Sequence, residues 1–315
     1  MSDALGRLRE LLDRHVVGHA EAKEALLLGL LCREHIYLEG PPGTAKTRMA
    51  EVAARGSSMA FFYYQLHRDT RLAELVGDVV IERRPLDGAP GERIHQRIEP
   101  GGILTAEVCV LDDISRAPGE ALNVLLRILN ERKFGDRPIP LLCAIATGNP
   151  MHEEYYNEPL DPANLDRFAL HLRVDSLIGT HAAEARTLID RFAEGLVVEQ
   201  PDAPPVCDRQ TLDRLFAALP TITLPDAVKD ALMEVFRVLV GEYGCDETNS
   251  ILTDRSFLVK AVKLLRGRAL IAGRSVVEPP DLDLLRWMTT FRVPEEVHEK
   301  VPEILQRVIG KASPM

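Results

Sequence analysis

The sequence has few of the features that mark disulfide-rich, secreted or membrane-spanning proteins. Its five cysteines are widely spread and form no Cys-x-x-Cys pair, so we expect reduced, mostly buried thiols. The apolar run Ala25–Cys32 has eight residues, whereas a membrane span needs about 18. Met1–His15 alternates charged and apolar residues and has no signal-peptide stretch. We therefore expect a soluble, cytoplasmic protein without a membrane span.

The sequence also lacks the positive charge of a nucleic-acid-binding protein. Its 38 Lys and Arg residues stand against 48 Asp and Glu, a net charge of −10, and only 5% of its residues are aromatic. A net-acidic surface repels phosphate backbones, and no basic strip is interleaved with aromatic residues. We therefore do not expect nucleic acid as a partner. With 315 residues, 46% of them apolar, the chain is long enough for about two domains with a real core.

Short apolar runs alternate with amphipathic stretches over the first part of the chain. Strands are predicted at residues 35–39, 61–66, 108–111 and 141–146, and helices at 20–32, 46–54 and 119–131. In the first helix we expect four leucines to share one face: Leu26, Leu27, Leu30 and Leu31. Strands that alternate with helices predict an α/β fold with a parallel sheet covered on both faces.

One segment departs from this α/β pattern. Two β-prone runs, 79–82 and 93–98, flank a turn that contains Asp87-Gly88, and they predict a projecting β-hairpin inserted at about residues 76–100.

The C-terminal third of the chain shows helical patterns only. Residues 201–220 contain four prolines and are predicted to connect a core domain, 1–200, to a small helical domain, 221–315. Helices are expected from Pro225 to Gly241 or Gly244, from Thr253 or Asp254 to about Ala272, and again from near Pro280.

A glycine-rich loop follows the first predicted strand and opens a helix, as a phosphate-binding loop does. Its backbone N–H groups and the helix N-terminus attract an anion. Lys46 would reach the β- and γ-phosphates of a nucleotide, and the Thr47 hydroxyl would ligate Mg²⁺. An ordinary Gly-Pro turn is the alternative interpretation. The residues of this loop are Gly40, Pro41, Pro42, Gly43, Thr44, Ala45, Lys46 and Thr47.

Polar side chains also follow two later strands. Asp112 and Asp113 stand at the carboxyl end of strand 108–111, the edge at which ligands bind in open α/β sheets. Asp112 suits the outer shell of the metal, and Asp113 could orient or deprotonate an attacking water. Asn149, after strand 141–146, could hold that water. If each motif is considered alone, one of these aspartates could merely cap the next helix, and Asn149-Pro150 could merely form a turn.

Several further motifs follow in a fixed order. The paired acids precede Ile114–Pro118, and then come Asn130–Arg132, Thr147–Pro150, Leu165–Phe168, Thr223–Asp226, Thr253–Arg255 and Ala272–Ser275. Together with the phosphate loop they resemble the MoxR branch of the AAA+ ATPases, and the last three motifs look like its RavA-type members. The resemblance spans about residues 16 to 290.

The resemblance implies roles for individual residues. Gly40–Thr47 corresponds to the Walker A motif, and Asp112-Asp113 to Walker B, where the family usually has Glu as its second acid. Asn149 corresponds to sensor 1, Arg167 to the arginine finger that completes a neighbour's site, and Arg255 to the sensor 2 arginine. Val17 and Gly18 fall where such proteins often contact adenine. Since Asp166 precedes Arg167, a mere surface ion pair between them is the alternative interpretation.

The resemblance also implies ATP and Mg²⁺ as cofactors, assembly into a hexameric ring, a hairpin facing the pore, and often a von Willebrand factor A-type partner. We therefore predict an ATPase that remodels or matures protein clients.

A nucleotide-switched scaffold with slow hydrolysis is the first alternative, because Asp113 replaces Glu. A small-molecule kinase is the second, and a helicase or clamp loader is least favoured because of the charge of −10.

Overall fold

The computed structural model describes residues 3–85, 92–150, 160, 162–195, 205–252 and 254–312. Within these residues the strands are β1 Ile36–Glu39, β2 Phe61–Gln65, β3 Val79–Pro85, β4 Glu92–Ile98, β5 Val108–Asp112, β6 Lys133–Phe134, β7 Arg137–Pro138, β8 Cys143–Gly148 and β9 Leu170–Arg173. The α-helices are α1 Asp3–His15, α2 Ala20–Cys32, α3 Lys46–Gly56, α4 Leu72–Val76, α5 Gly119–Glu131, α6 Pro162–Leu165, α7 Leu177–Thr180, α8 Ala182–Ala193, α9 Arg209–Ala218, α10 Asp226–Gly241, α11 Asp254–Ile271, α12 Leu285–Thr289, α13 Glu295–His298 and α14 Val301–Ala312.

Five strands form one sheet in the order β2-β5-β8-β1-β9, and all of its neighbouring pairs are parallel. This confirms the predicted α/β sheet. In the middle of the sheet, Ile36 lies opposite Ile145 on one side and Leu170 on the other. Because the strands are parallel and in register, the carboxyl ends of β1, β5 and β8 meet at one edge. The three predicted polar motifs follow those strand ends.

The sequence did not indicate β9, because polar residues interrupt its apolar pattern. His171 is fully buried within it, and Arg173 stands at its exposed end. Hairpin β6–β7 was also missed, since each of its strands has only two residues.

From Ala25 to Cys32, helix α2 is buried on all sides rather than on the single face that was predicted. Leu28 and Gly29 are as inaccessible as the four leucines assigned to the inward face. A helix that is apolar all round must be covered all round. Here the sheet side and the C-terminal helices α9 and α11 both pack on α2, so one apolar cluster runs from the sheet into the C-terminal region.

The predicted hairpin is present as the antiparallel pair β3–β4, in which Val79 lies opposite Ile98. Three aliphatic side chains on it, Val79, Ile81 and Ile94, are between 56% and 61% exposed. The turn expected at Asp87-Gly88 lies outside the described residues.

The C-terminal region is helical, as predicted. Helices α10 and α11 match two expected helices, although Thr253 lies outside the described residues. The third begins as a 3₁₀ turn, Pro279–Leu284, that continues into α12. The part of the predicted connecting segment that the structure describes contains α9, and the domain bounds stay a prediction.

The five cysteines are all buried and free, as expected. Among the residues that the structure describes, no helix combines the length and apolarity that crossing a bilayer would require.

Candidate functional site

The loop between β1 and α3 is closed by the side chain that was predicted to bind phosphate. The Lys46 Nζ donates to the carbonyl oxygens of Gly40 at 2.6 Å and Pro41 at 2.8 Å. Thr44 Oγ1 also donates to the Pro41 carbonyl at 2.9 Å. Burial lowers the pKa of the Lys46 amine, and the carboxylates of Asp112 and Asp113 oppose that shift. The loop therefore holds a buried amine, close to two acids, at the N-terminus of α3.

Ala45 has a conformation that the sequence did not indicate. It is the N-cap of α3 and has a φ of 60°, in the left-handed region. For a residue with a Cβ this conformation costs roughly 1–2 kcal/mol. The loop therefore stores strain at the position where the general phosphate-loop pattern has glycine.

We expect Ala45→Gly to stabilise the fold by about 0.5–1 kcal/mol, because the relieved strain exceeds the added chain entropy of about 0.5–1 kcal/mol. Thermal unfolding without nucleotide measures the effect. Ala50→Gly, inside α3, is the control and should destabilise by about 2 kcal/mol, because it places glycine in a helix and removes a fully buried methyl group. A lower midpoint for Ala45→Gly than for the unmodified chain would contradict the strain.

Asp112 accepts hydrogen bonds from three hydroxyl groups. Thr47 Oγ1 donates to its Oδ1 at 2.8 Å, Tyr63 OH donates to its Oδ2 at 3.2 Å, and Thr147 Oγ1 also donates to Oδ1. The structure thus brings together the two residues predicted to hold Mg²⁺. A hydroxyl and a carboxylate in contact are the oxygen ligands that this ion prefers, so the residues fit the metal.

Asp113 and Asn149, predicted to act on water, are bonded to each other. Asn149 Nδ2 donates to Asp113 Oδ1 at 2.8 Å, and Lys46 Nζ donates to the amide oxygen of Asn149 at 3.4 Å. Arg116 Nε lies 3.7 Å from the other carboxylate oxygen of Asp113. Asp113 has a φ of 54°, which aspartate tolerates better than most residues. Asn149 therefore joins the phosphate loop to the second acid.

Thr147 was missed by sequence reasoning although it lies in a motif that was singled out. Besides donating to Asp112, its hydroxyl accepts from the backbone N–H of Asp113 at 3.2 Å. It therefore fixes both acids relative to β8. Tyr63 was missed as well, and only the pairing of β2 with β5 reveals its position.

A cavity of about 350 Å³ adjoins the phosphate loop. Val17, Thr44 and Leu177 are among the residues that line it. Gly18, the other residue assigned to adenine, is not among the lining residues. It has a φ of 75°, and a Cβ there would lie 2.4 Å from the Glu184 carboxylate. A mostly apolar cavity beside a phosphate loop has the arrangement that a nucleoside requires.

The two predicted arginines are not part of this cluster. None of the hydrogen bonds or ion pairs between described residues joins Arg167 or Arg255 to the phosphate loop. Arg255 is exposed in the first turn of α11. The carboxylate of Asp166 pairs with Arg292 at 3.4 Å, so the simple surface pair with Arg167 is wrong. The buried Nε of Arg167 has no hydrogen-bond partner among the described residues.

Arg173 is a cation near the site that the sequence did not reveal. It forms a bidentate ion pair with Glu295 at the start of α13, and its guanidinium lies 5.1 Å from the Phe291 ring centroid. Burial raises the pKa of Glu39, which precedes the phosphate loop, and the charge of Arg173 opposes that shift. This contact ties the C-terminal helices to the edge of the sheet that carries the site.

Comparison with known proteins agrees with this geometry. Residues 3–200 match the family described as the MoxR domain in the MoxR-vWA-beta-propeller ternary systems. Chaperone MoxR1 of Mycobacterium tuberculosis is 28% identical over 313 residues, covering 93% of this chain and 77% of that protein. Protein MoxR of Paracoccus denitrificans is 29% identical over 187 residues, covering 56% of this chain and 52% of that protein.

A crystal structure of a candidate ATPase from Cytophaga hutchinsonii superposes with a TM-score of 0.75 at 20% identity, over 98% of this chain and 94% of that one. At this identity the likeness shows the fold alone, an AAA+ ATPase core followed by a helical lid. The match over residues 3–200 shows the family: the chain belongs to the MoxR family of AAA+ ATPases. The finer likeness to RavA-type members stays a prediction.

Proposed function

We propose that this protein binds Mg-ATP at the phosphate loop and hydrolyses it. The observation that carries the proposal is the convergence of the buried Lys46 amine, the Thr47–Asp112 contact and the Asp113–Asn149 contact at one sheet edge. The cavity lined by Val17 and Thr44 adjoins this cluster and supplies space for the nucleoside.

Each residue of the cluster has a role that follows from its chemistry. The loop backbone and Lys46 bind the phosphate groups, and α3 presents its N-terminal N–H groups to the same anion. Thr47 and Asp112 hold Mg²⁺, which supplies positive charge for the phosphate oxygens when it is bound. Asp113 accepts the proton of the attacking water, and Asn149 keeps that carboxylate oriented. Arg255 remains a candidate second sensor.

We further propose that the active form is a homo-oligomer, a hexameric ring, acting on protein clients in the cytoplasm. The half-buried Arg167, whose Nε has no hydrogen-bond partner among the described residues, supports a role at a neighbour's phosphate groups. The exposed Val79, Ile81 and Ile94 on hairpin β3–β4 offer an apolar face to a client. The matched family occurs in systems with a vWA protein, which supports a vWA-type partner.

Calorimetric titration with a non-hydrolysable ATP analogue and Mg²⁺ tests nucleotide binding, and the mass of the complex in the same solution tests assembly. We expect binding heat together with an increase from the monomer mass to that of a ring. Absence of binding heat would contradict the proposed site, whereas heat without a mass change would contradict only the assembly.

A nucleotide-switched scaffold is the second candidate function, and the geometry of Asp113 favours it. This carboxylate is one methylene shorter than glutamate, and Asn149 and Arg116 already engage it. A scaffold of this kind would bind ATP and assemble but turn over slowly.

If Asp113 is the working base, Asp113→Asn should lower phosphate release by about 100-fold or more, since general base catalysis contributes about 10²–10⁴. Asp113→Glu should stay within about tenfold of the unmodified protein, because the longer side chain meets the same Asn149 but tolerates the left-handed φ less well. Phosphate release under saturating Mg-ATP is the measurement. A large gain with Asp113→Glu would favour the scaffold instead.

A further inference from the structure

Arg167 lies in a short segment, Leu165–Phe168, that leads from α6 into β9. Few backbone hydrogen bonds hold this segment in place locally. Arg167 N donates to Asn164 O at 3.3 Å, and Phe168 N donates to Leu165 O at 3.0 Å. These are turn-like contacts, so the position of Arg167 depends on packing. The Phe168 side chain is fully buried beside Tyr37 of β1, and further contacts come from the C-terminal region.

Two cationic side chains of the C-terminal region grip the segment. Lys260 of α11 donates from Nζ to the Asp166 carbonyl at 3.1 Å. Arg292, which follows α12, donates to the Phe168 carbonyl at 2.6 Å and pairs with the Asp166 carboxylate at 3.4 Å. The residues directly before and after Arg167 are therefore both hydrogen-bonded to the C-terminal helical region from α10 to α14, which we call the lid.

His171 of β9 lies between the same two parts. Its Nδ1 lies 2.7 Å from the Thr290 carbonyl in the lid, and its Nε2 lies 2.9 Å from the Leu165 carbonyl in the segment. Burial lowers the pKa of His171 to about 3, with the charge of Arg292 acting in the same direction. A neutral ring has one N–H, so it donates either to the lid carbonyl or to the segment carbonyl, and it adds no charge.

This arrangement is costly for a purely structural contact. The Arg292 side chain is 1% exposed, and burial lowers its pKa as well as that of Lys260. The two cations also repel each other; the Asp166 carboxylate offsets part of this cost, whereas Glu34, the second acid nearby, already pairs with Lys263 of α11. Apolar side chains of similar volume often stabilise a fold as well as a buried ion pair does. We expect buried charged contacts of this kind where they fix the position of a backbone segment.

The lid that grips this segment also contacts its own subunit's phosphate-loop edge. Arg173, at the end of β9, pairs with Glu295, and its guanidinium also lies against the ring of Phe291, the residue directly before Arg292. The charge of Arg173 also lowers the pKa of Glu39, the residue before Gly40, against the larger effect of burial. A lid displacement caused by nucleotide at this edge would therefore move the contacts on both sides of Arg167.

We propose that Lys260 and Arg292 are positioning residues that set the place of Arg167, so that the arginine presented to a neighbouring subunit follows the helical lid of its own subunit. This inference rests on the proposed function, because it takes Arg167 to act on the neighbour's nucleotide. Lys260 and Arg292 touch neither nucleotide nor metal in this scheme. They act only through the backbone on either side of Arg167.

Mixed oligomers test this directly. A Lys46→Ala subunit lacks its own nucleotide site but keeps its finger, and an Arg167→Ala subunit keeps its site but lacks the finger. Each alone should be inactive, and their mixture should regain phosphate release. Lys260→Met is then added to one subunit type or the other. In the Lys46→Ala subunit, this substitution should lower kcat of the mixture by about tenfold, because one charge-assisted hydrogen bond is lost. The KM for ATP should not change.

The same substitution in the Arg167→Ala subunit should leave the mixture unchanged, since that subunit presents no finger. Lys263→Met, on the same helix but without contact to residues 166–168, is the matched control and should have no such one-sided effect. Lys260→Arg should restore most of the activity, because the guanidinium can still donate to the Asp166 carbonyl. Thermal unfolding of each variant confirms that the subunits are folded.

The outcomes separate the inference from the proposed function. If the simple mixture of Lys46→Ala and Arg167→Ala regains nothing, the shared site fails and the inference falls with it. If that mixture is active but Lys260→Met acts equally in both subunit types, or in neither, the shared site stands and the positioning role is overturned. A folding defect caused by Lys260→Met would lower activity from either side and would count against the inference, unless Lys260→Arg showed the one-sided effect.

Discussion

Arg167→Ala is expected to lower ATP hydrolysis by about 10³–10⁵-fold, the range found where arginine fingers are removed. The physical reason is that a guanidinium offsets the negative charge that develops on the phosphate oxygens. This charge is larger at the transition state than in the bound nucleotide. Affinity for ATP should therefore change little. In the structure, Asp166 pairs with Arg292, which leaves the Arg167 charge unpaired among the described residues.

Steady-state phosphate release and calorimetric titration together check this prediction. Arg255→Ala is the informative comparison, because a second sensor would act on its own subunit's nucleotide and a Lys46→Ala partner could not rescue it. Arg237→Ala, at an exposed lid position paired with Glu234, controls for simple loss of positive charge. A fall in ATP affinity as large as the fall in rate would contradict a finger acting in trans.

Lys46→Ala is expected to weaken ATP binding by about 2–5 kcal/mol, or roughly 30-fold and more, because it removes a buried charge that faces the phosphates. The free protein should lose less, since the amine's short contacts are with the Gly40 and Pro41 carbonyls, its contact with Asn149 is longer at 3.4 Å, and its own desolvation is unfavourable. The variant should therefore fold but be stabilised much less by the nucleotide.

The rise in unfolding midpoint with Mg-ATP measures this effect. Nucleotide at about 100 times its Kd stabilises a protein by about 2.7 kcal/mol, and at the same nucleotide concentration that increment should fall to about 0.9 kcal/mol or less in Lys46→Ala. Lys229→Ala, an exposed lid position, is the control and should keep the full increment. An unchanged increment in Lys46→Ala would show that nucleotide binds elsewhere.

Local pattern was enough to predict most elements of the core. Continuous apolar runs at 108–111 and 141–146 identified β5 and β8, and the amphipathic period over Gly119–Glu131 matched α5 at both ends. It failed at β9, where buried His171 and exposed Arg173 hide the strand. It also failed for α2, because periodicity locates an apolar face but cannot say that a second layer covers the other faces.

The candidate site divides in the same way. Gly40–Thr47, Asp112, Asp113 and Asn149 each follow a strand, and parallel strands bring their ends together, so the order of motifs along the chain was sufficient to predict their meeting. Thr147 bonds to both acids, but its role depends on the register of β8 against β5.

By itself, the sequence determined the family, the parallel sheet and the phosphate-loop chemistry, because these depend on residue types at short, fixed spacings. Only the tertiary structure decided which charges meet over long separations. Asp166 faces Arg292 instead of the adjacent Arg167, Arg173 reaches Glu295, and Ala45 takes a left-handed conformation. The physical reason is that an ion pair or a strained backbone angle depends on how distant elements pack, and no local pattern of residues records that packing.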